Sequence, residues 1–196
     1  MFAANVAQLE HWNKAFEAFL ARNSSNLTDK QVRGAAIIQI HHIICKTIAK
    51  GAPSLEDPRP SSVAWHNPDD REYFDKSLNQ VINLSRSLIV AGEADARAGK
   101  APLHFSMDLG IVAPLYYVGV KMRDPEQRLA ALELLERVPW KEGLWDNTSC
   151  ARLVKQFWEM ETMYLETAAA DPTFDASMRC GAIELEFADD AKCKWT

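Results

Sequence analysis

The sequence predicts a mainly α protein, built from stacked antiparallel helical hairpins and ending in a short C-terminal β-hairpin. Three observations carry that prediction. Apolar side chains recur every three to four residues through most of the 196 positions, the period of a helix with one buried face. Helix-starting and helix-stopping residues fall between these periodic segments. After Asp171-Pro172 the period shortens, and Ile183, Leu185 and Phe187 alternate with polar neighbours, as a half-buried strand requires. The expected division is a helical domain over residues 1–170 and a tail over 171–196 whose hairpin packs on the helices.

Phe2, Val6, Leu9, Trp12, Phe16 and Phe19-Leu20 form the first stripe, which should stop near Asn23 in the run NSSN. Thr28 begins the second helix, and Gln31 three residues later completes a capping box. Val32, Ala35, Ala36, Ile37, Ile40, Ile43 and Ile44 make this helix apolar around much of its circumference, which places it at the centre of the core. Gly51 and Pro53 close it. Residues 52–66 contain three prolines and read as a long connection suited to contacting a partner.

Asn67-Pro68-Asp69-Asp70 starts a third helix, with proline at its first position and acids at the positive end of the dipole. Phe74, Leu78, Val81, Ile82, Leu88 and Ile89 are its inner face, and the pattern fades through GEADARAGK. Pro114 leaves two starts open for the next helix: near Asp108 with a kink, or at Pro114 itself. That helix must stop before Pro125, and Asp124-Pro125-Glu126 restarts another almost at once, so the two form an antiparallel hairpin. Leu129, Leu132, Leu135 and Val138 mark the next buried stripe, up to Pro139. A turn holding Trp140 and Trp145 follows, then Asp146 or Asn147 caps a last helix with Leu153, Phe157, Met160, Met163 and Tyr164 inward. Roughly six or seven helices result, and each buried side chain contributes about 1.5–3 kcal/mol before conformational entropy is subtracted.

Hydrophobic content of 47% and charged content of 25% match ordinary globular usage. A net charge of -5, with no Lys/Arg run, argues against a generic nucleic-acid binder, and no direct DNA binding by this chain is expected. The apolar runs Gly34–Cys45 and Leu109–Val120 are shorter than the ~18 residues of a membrane span. The start MFAANVAQLEHWNK lacks the basic-then-apolar order of a secretory signal. The sequons at Asn26 and Asn147 therefore read as helix-start chemistry.

No constellation of reactive residues stands out, and no catalytic, cofactor-binding or metal-binding residue is assigned. Cys45, Cys150, Cys180 and Cys193 form no CxxC pair, so zinc spacing is missing and reduced thiols of a nuclear or cytosolic protein are expected. His41 and Cys45 stand one helical turn apart, but among Ile40, Ile43 and Ile44 they read as a satisfied core histidine and an inert buried thiol. Asp69–Asp70 and Asp189–Asp190 have helix-dipole and turn explanations. Cys150 near a helix start is a candidate for a lowered pKa, although no activating partner can be named. Trp12, Trp65, Trp140, Trp145, Trp158 and Trp195 suit core or rim packing, with a ligand pocket as the competing use.

The block from Leu103 to Asn147 carries the most specific pattern. Gly110-Ile111 runs to Leu115-Tyr116, then Lys121 to Pro125, Glu133-Leu134-Leu135, Pro139, Glu142-Gly143 and Trp145-Asp146. In these residues the chain resembles the C-terminal regulatory region of fungal zinc binuclear-cluster transcription factors. It departs from them at Ala113, where a proline is usual, and at Trp140, where a basic residue is common. A weaker likeness extends to Trp12, Ala15 and Phe16 and to the terminal alternating segment. The resemblance implies a nuclear regulatory domain, non-catalytic, that acts through a protein partner or a small effector. The six-cysteine DNA-reading module of that family is absent from these residues. The resemblance fits an excised domain, a truncated product and a standalone regulator alike. The competing expectation is a small helical enzyme or ligand carrier with an aromatic-lined pocket.

Overall fold

The computed structural model describes residues 2–51, 68–100, 105–106, 110–137, 141–170, 185–187 and 193–195. They form helices α1 (Phe2–Asn23), α2 (Asp29–Gly51), α3 (Pro68–Arg97), α4 (Val112–Lys121), α5 (Pro125–Arg137) and α6 (Asn147–Ala170). Short strands β1 (Phe105–Ser106), β2 (Lys141–Glu142) and β3 (Trp145–Asp146) make one sheet, and β4 (Leu185–Phe187) pairs antiparallel with β5 (Cys193–Trp195). The mainly helical fold and the C-terminal hairpin are as the periodicity indicates. The connection over 52–66, Trp65, Val138 to Trp140, residues 171–184 and Asp189–Asp190 lie outside the described residues.

Local chemistry accounts for most helix ends. The Thr28 backbone N–H donates to Gln31 Oε1 at 2.9 Å, and the Gln31 N–H returns to Thr28 Oγ1 at 3.4 Å, completing the capping box. Asp124 Oδ1 accepts the Gln127 N–H at 2.9 Å, so the Asp-Pro junction both ends α4's exit and starts α5. Asp146 Oδ1 accepts the Ser149 N–H at 2.8 Å and is the cap of α6.

Ion pairs fix the antiparallel order. Arg33 near the start of α2 meets Asp95 near the end of α3 at 2.7 Å, while Lys50 at the other end of α2 meets Asp70 at 2.8 Å. Lys46 reaches back to Glu10 of α1 at 3.2 Å. Between α5 and α6, Arg128 pairs with Glu161 at 2.7 Å and Glu136 with Lys155 at 2.6 Å. The most extensive helix contacts are α2 with α3 and α4 with α5. α3 also packs on α4 and α5, and α6 closes over that pair.

The core therefore centres on α3 and α4. Phe74, Leu78, Val81, Ile82 and Ile89 meet Val112, Leu115, Val118 and Met122, all buried. α2 is less central than its composition suggests: Ile40 and Ile44 are buried, but Val32 and Ile38 are exposed. Two stripes are rotated from expectation. On α5 the buried residues are Ala131, Leu132, Leu134 and Leu135, and Leu129 faces outward. On α6 the buried apolar residues are Cys150, Ala151, Val154 and Phe157, and Met163 is exposed. α3 runs on to Arg97 through the segment where its apolar pattern fades. No helix among the described residues is long and apolar enough to cross a membrane.

Candidate functional site

The signature block folds back on itself. α4 starts at Val112, ahead of Pro114 and without a kink, because a proline at the third helical position lacks an N–H that would have no intrahelical acceptor anyway. Ile111, the residue at its N-cap, makes no side-chain capping bond. The cap comes instead from Glu142, about thirty residues later and buried at 5% exposure. Glu142 Oε1 accepts the Ile111 N–H at 2.9 Å, and Oε2 accepts those of Val112 at 2.9 Å and Gly110 at 3.1 Å. A carboxylate on three backbone amides at a helix N-terminus is a charge-assisted arrangement.

Glycine at 110 leaves room for this carboxylate, since a Cβ there would sit 2.3 Å from Glu142 Oε1 and push it off the amides it caps. Gly143 serves the same device. β2 and β3 pair with Glu142 opposite Trp145, which leaves a two-residue loop whose first member must take positive φ, and Gly143 has φ 57. The turn expected between Trp140 and Trp145 is thus a tight hairpin, held further by parallel pairing of β1 with β2.

The rest of the motif also turns inward. Trp145 packs against Tyr116 with ring centroids 5.8 Å apart. Asn147 Nδ2 donates to the Leu135 carbonyl at 2.5 Å, serving one of the last carbonyls of α5. On the face of α4 that packs against α6, the Gly119 carbonyl accepts the Trp158 indole N–H at 2.8 Å, and the Arg128 guanidinium lies 4.7 Å over the Trp158 ring.

The sequence candidates do not converge. His41 Nε2 lies 2.9 Å from the Gly110 carbonyl oxygen; since that oxygen only accepts, Nε2 carries the proton. It is a satisfied, half-buried histidine. Cys45 is exposed, contrary to the expected buried thiol, because its position on α2 turns away from α3. The buried thiol is Cys150, and its pKa moves opposite to the helix-start expectation. Burial pushes it up to about 12, with the Asp146 and Glu142 carboxylates adding to the effect. Alkylation of native protein should therefore label Cys45 readily and Cys150 only after denaturation; equal native labelling by peptide mass mapping would contradict this placement. No group of three metal-ligating side chains occurs among the described residues.

A different cluster is assembled only by the fold. α1 and α3 both lie on α2 without substantial contact with each other, and the wedge between them is a cavity of about 260 Å³. Asn13 and Glu17 of α1, His42 and Lys46 of α2, and Tyr73 and Lys76 of α3 line it. His42 is a largely buried residue, and its ring stacks on Trp12 at 4.9 Å. It makes no hydrogen bond to any described residue. Asn13 Nδ2 donates to Glu17 Oε1 at 2.8 Å, and Lys46 lies 5.6 Å from the Tyr73 ring centre. Gln39, His42 and Lys46 at helical spacing are a polar stripe in the sequence, but such a stripe reads as an ordinary solvated face.

Desolvation lowers the His42 pKa, the Lys46 ammonium lowers it further, and Glu17 opposes both. The unfolded chain therefore takes up this proton at higher pH than the folded one. The neutral ring costs nothing above the unfolded value of about 6.5, and stability is lost as pH falls through that value towards the folded pKa. The stability difference between wild type and His42→Gln should shift against the wild type from pH 7 to pH 5 in urea titrations. A pH-independent difference would refute the assignment.

Compared with known proteins, the chain matches no family model, no curated protein and no solved structure.

Proposed function

We propose that this chain is a non-catalytic transcription-regulator domain of the fungal zinc-cluster factor type, acting through a protein partner or a small effector and without a DNA-reading part among these residues. The observation that supports the reading is what the signature residues do. Gly110, Glu142, Gly143, Trp145, Asp146 and Asn147 spend their chemistry on capping, turning and packing. A pattern of that kind specifies a scaffold, and a scaffold acts by what it contacts. Nuclear localisation belongs to the same proposal.

The test is to fuse residues 1–196 to a heterologous DNA-binding module upstream of a reporter in a fungal cell. Reporter output should change several-fold relative to the module alone. Output identical to the module alone, from a fusion shown to be folded and nuclear, would contradict the reading. The ligand-carrier alternative loses the His41/Cys45 pair, whose side chains diverge, and now draws only on the wedge between α1 and α3.

A further inference from the structure

We propose that α1 is a detachable strap. It leaves α2 as a unit while α2 to α6 keep their packing, and in leaving it bares the α2 face that carries His42. The device is conformational and stands whether or not the regulatory reading above holds.

Three observations carry the inference. The first is how little of α1 is held. From Val6 to Asn23 none of its residues is fully buried, and Trp12 and Phe19 of its apolar stripe remain 41% and 46% exposed. α3, by contrast, buries Phe74, Leu78, Val81, Ile82 and Ile89 almost completely. Among the described helices α1 packs substantially on α2 alone. Elements with few buried apolar contacts open at a lower free energy than the core. The second is the nature of its anchors. In the ion pair of Glu10 with Lys46, at 3.2 Å, Glu10 is half exposed, and pairs of that kind contribute little. The Trp12 ring stacked on His42 adds an aromatic contact at the edge of the same face.

The third is that both sides survive separation. α1 closes its own last turn, with Asn23 Nδ2 donating to the Phe19 carbonyl at 2.8 Å, and α2 begins on its own Thr28–Gln31 capping box. The joint from Asn23 to Thr28 therefore turns without unmaking either helix. Within α1 the Trp12 and Phe19 rings both stack on Phe16, and Asn13 Nδ2 donates to Glu17 Oε1 at 2.8 Å. Such i, i+3 and i, i+4 pairs stabilise a helix on its own. Its 22 residues exceed the roughly 12–15 below which an isolated helix is marginal, so the released arm retains helical character. What it uncovers on α2 is the wall formed by Gln39, His42, Ile43 and Lys46. Of these only Ile43 is an aliphatic side chain, so little apolar surface of that wall meets water when α1 leaves.

The test is native-state amide hydrogen exchange of the 196-residue protein, followed residue by residue in NMR. Amides from Trp12 to Leu20 should exchange together, about a hundred-fold or more faster than the slowest amides of α3 and α4, yet slower than an unstructured chain. Trp12→Ala, which removes the stack on His42, should speed α1 exchange about ten-fold further. Ile89→Val, a small deletion inside the core, should speed the slowest amides of α3 and α4 about five-fold and leave those of α1 unchanged, because the core stays packed when the strap opens. The proposal is overturned if α1 amides are as slow as those of α3, or if Ile89→Val speeds both alike, since α1 would then open only with the whole protein. It is equally overturned if exchange rises steadily from Asn23 towards the N-terminus, which is fraying, if α1 exchanges as freely as an unstructured chain, or if Trp12→Ala leaves α1 unchanged.

Discussion

Glu142→Ala is expected to destabilise the protein by about 3–5 kcal/mol, because each buried N–H left without an acceptor costs about 1–3 kcal/mol. The variant strips the acceptor from Gly110, Ile111 and Val112 together, and Ile111 has no side chain positioned to replace it. Glu142→Gln keeps one carbonyl oxygen and should recover part of the loss. Gly110→Ala should approach the alanine variant in severity by a different route, since its Cβ would collide with the carboxylate and the carbonyl it disturbs is the one bonded to His41. Urea unfolding monitored by circular dichroism checks all three. A loss below about 1 kcal/mol for Glu142→Ala, the range of an ordinary surface site, would show that the clamp is not formed in solution.

Arg128→Leu should cost a comparable amount, about 3–5 kcal/mol, as expected when one partner of a buried ion pair is removed. The side chains of Arg128 and Glu161 are 13% and 6% exposed, so solvent cannot compensate for the lost guanidinium. That guanidinium also covers the Trp158 ring. The double variant Arg128→Leu/Glu161→Leu is expected to regain most of the loss. Arg128 Nε and Nη2 are buried without hydrogen-bond partners among the described residues, so the pair is incompletely satisfied and an apolar replacement removes a desolvation cost along with the attraction. Additive losses in the double-mutant cycle would mean that the two side chains do not interact.

The parts of the fold that the sequence discloses are those decided within a turn or two. Thr28 with Gln31, Asp124 before Pro125 and the stripe from Phe74 to Ile89 depend on neighbours three or four residues away. Stripe direction on α5 does not. Leu129-Leu132-Leu135 and Ala131-Leu132-Leu134-Leu135 are both plausible faces, and contact with α4 and α6 selects the second. The same holds for Met163, whose helical spacing is right but whose place on α6 is exposed.

The signature block shows the limit most plainly. Its residues can be recognised as a pattern, yet nothing local reveals that Glu142 answers Gly110, because the two are brought together only when β2 docks beside α4. Gly143 hints at a tight turn, and its exposed neighbour Leu144 gives no hint of a strand pair. His42 is inconspicuous in the sequence for a related reason. The adjacent His41 has the conspicuous spacing from Cys45, while His42 points towards α1 and α3, which are distant from it in sequence. A polar stripe becomes a cavity wall only when two further helices stand over it.

The signature block is a fold-building clamp, and amide hydrogen exchange at Gly110, Ile111 and Val112 tests this most directly. In wild type these three amides should be protected to the level of the α4 interior, and Glu142→Ala should remove their protection ahead of the rest of the core. Exchange of all three at the rate of an open loop in the wild-type protein would contradict it.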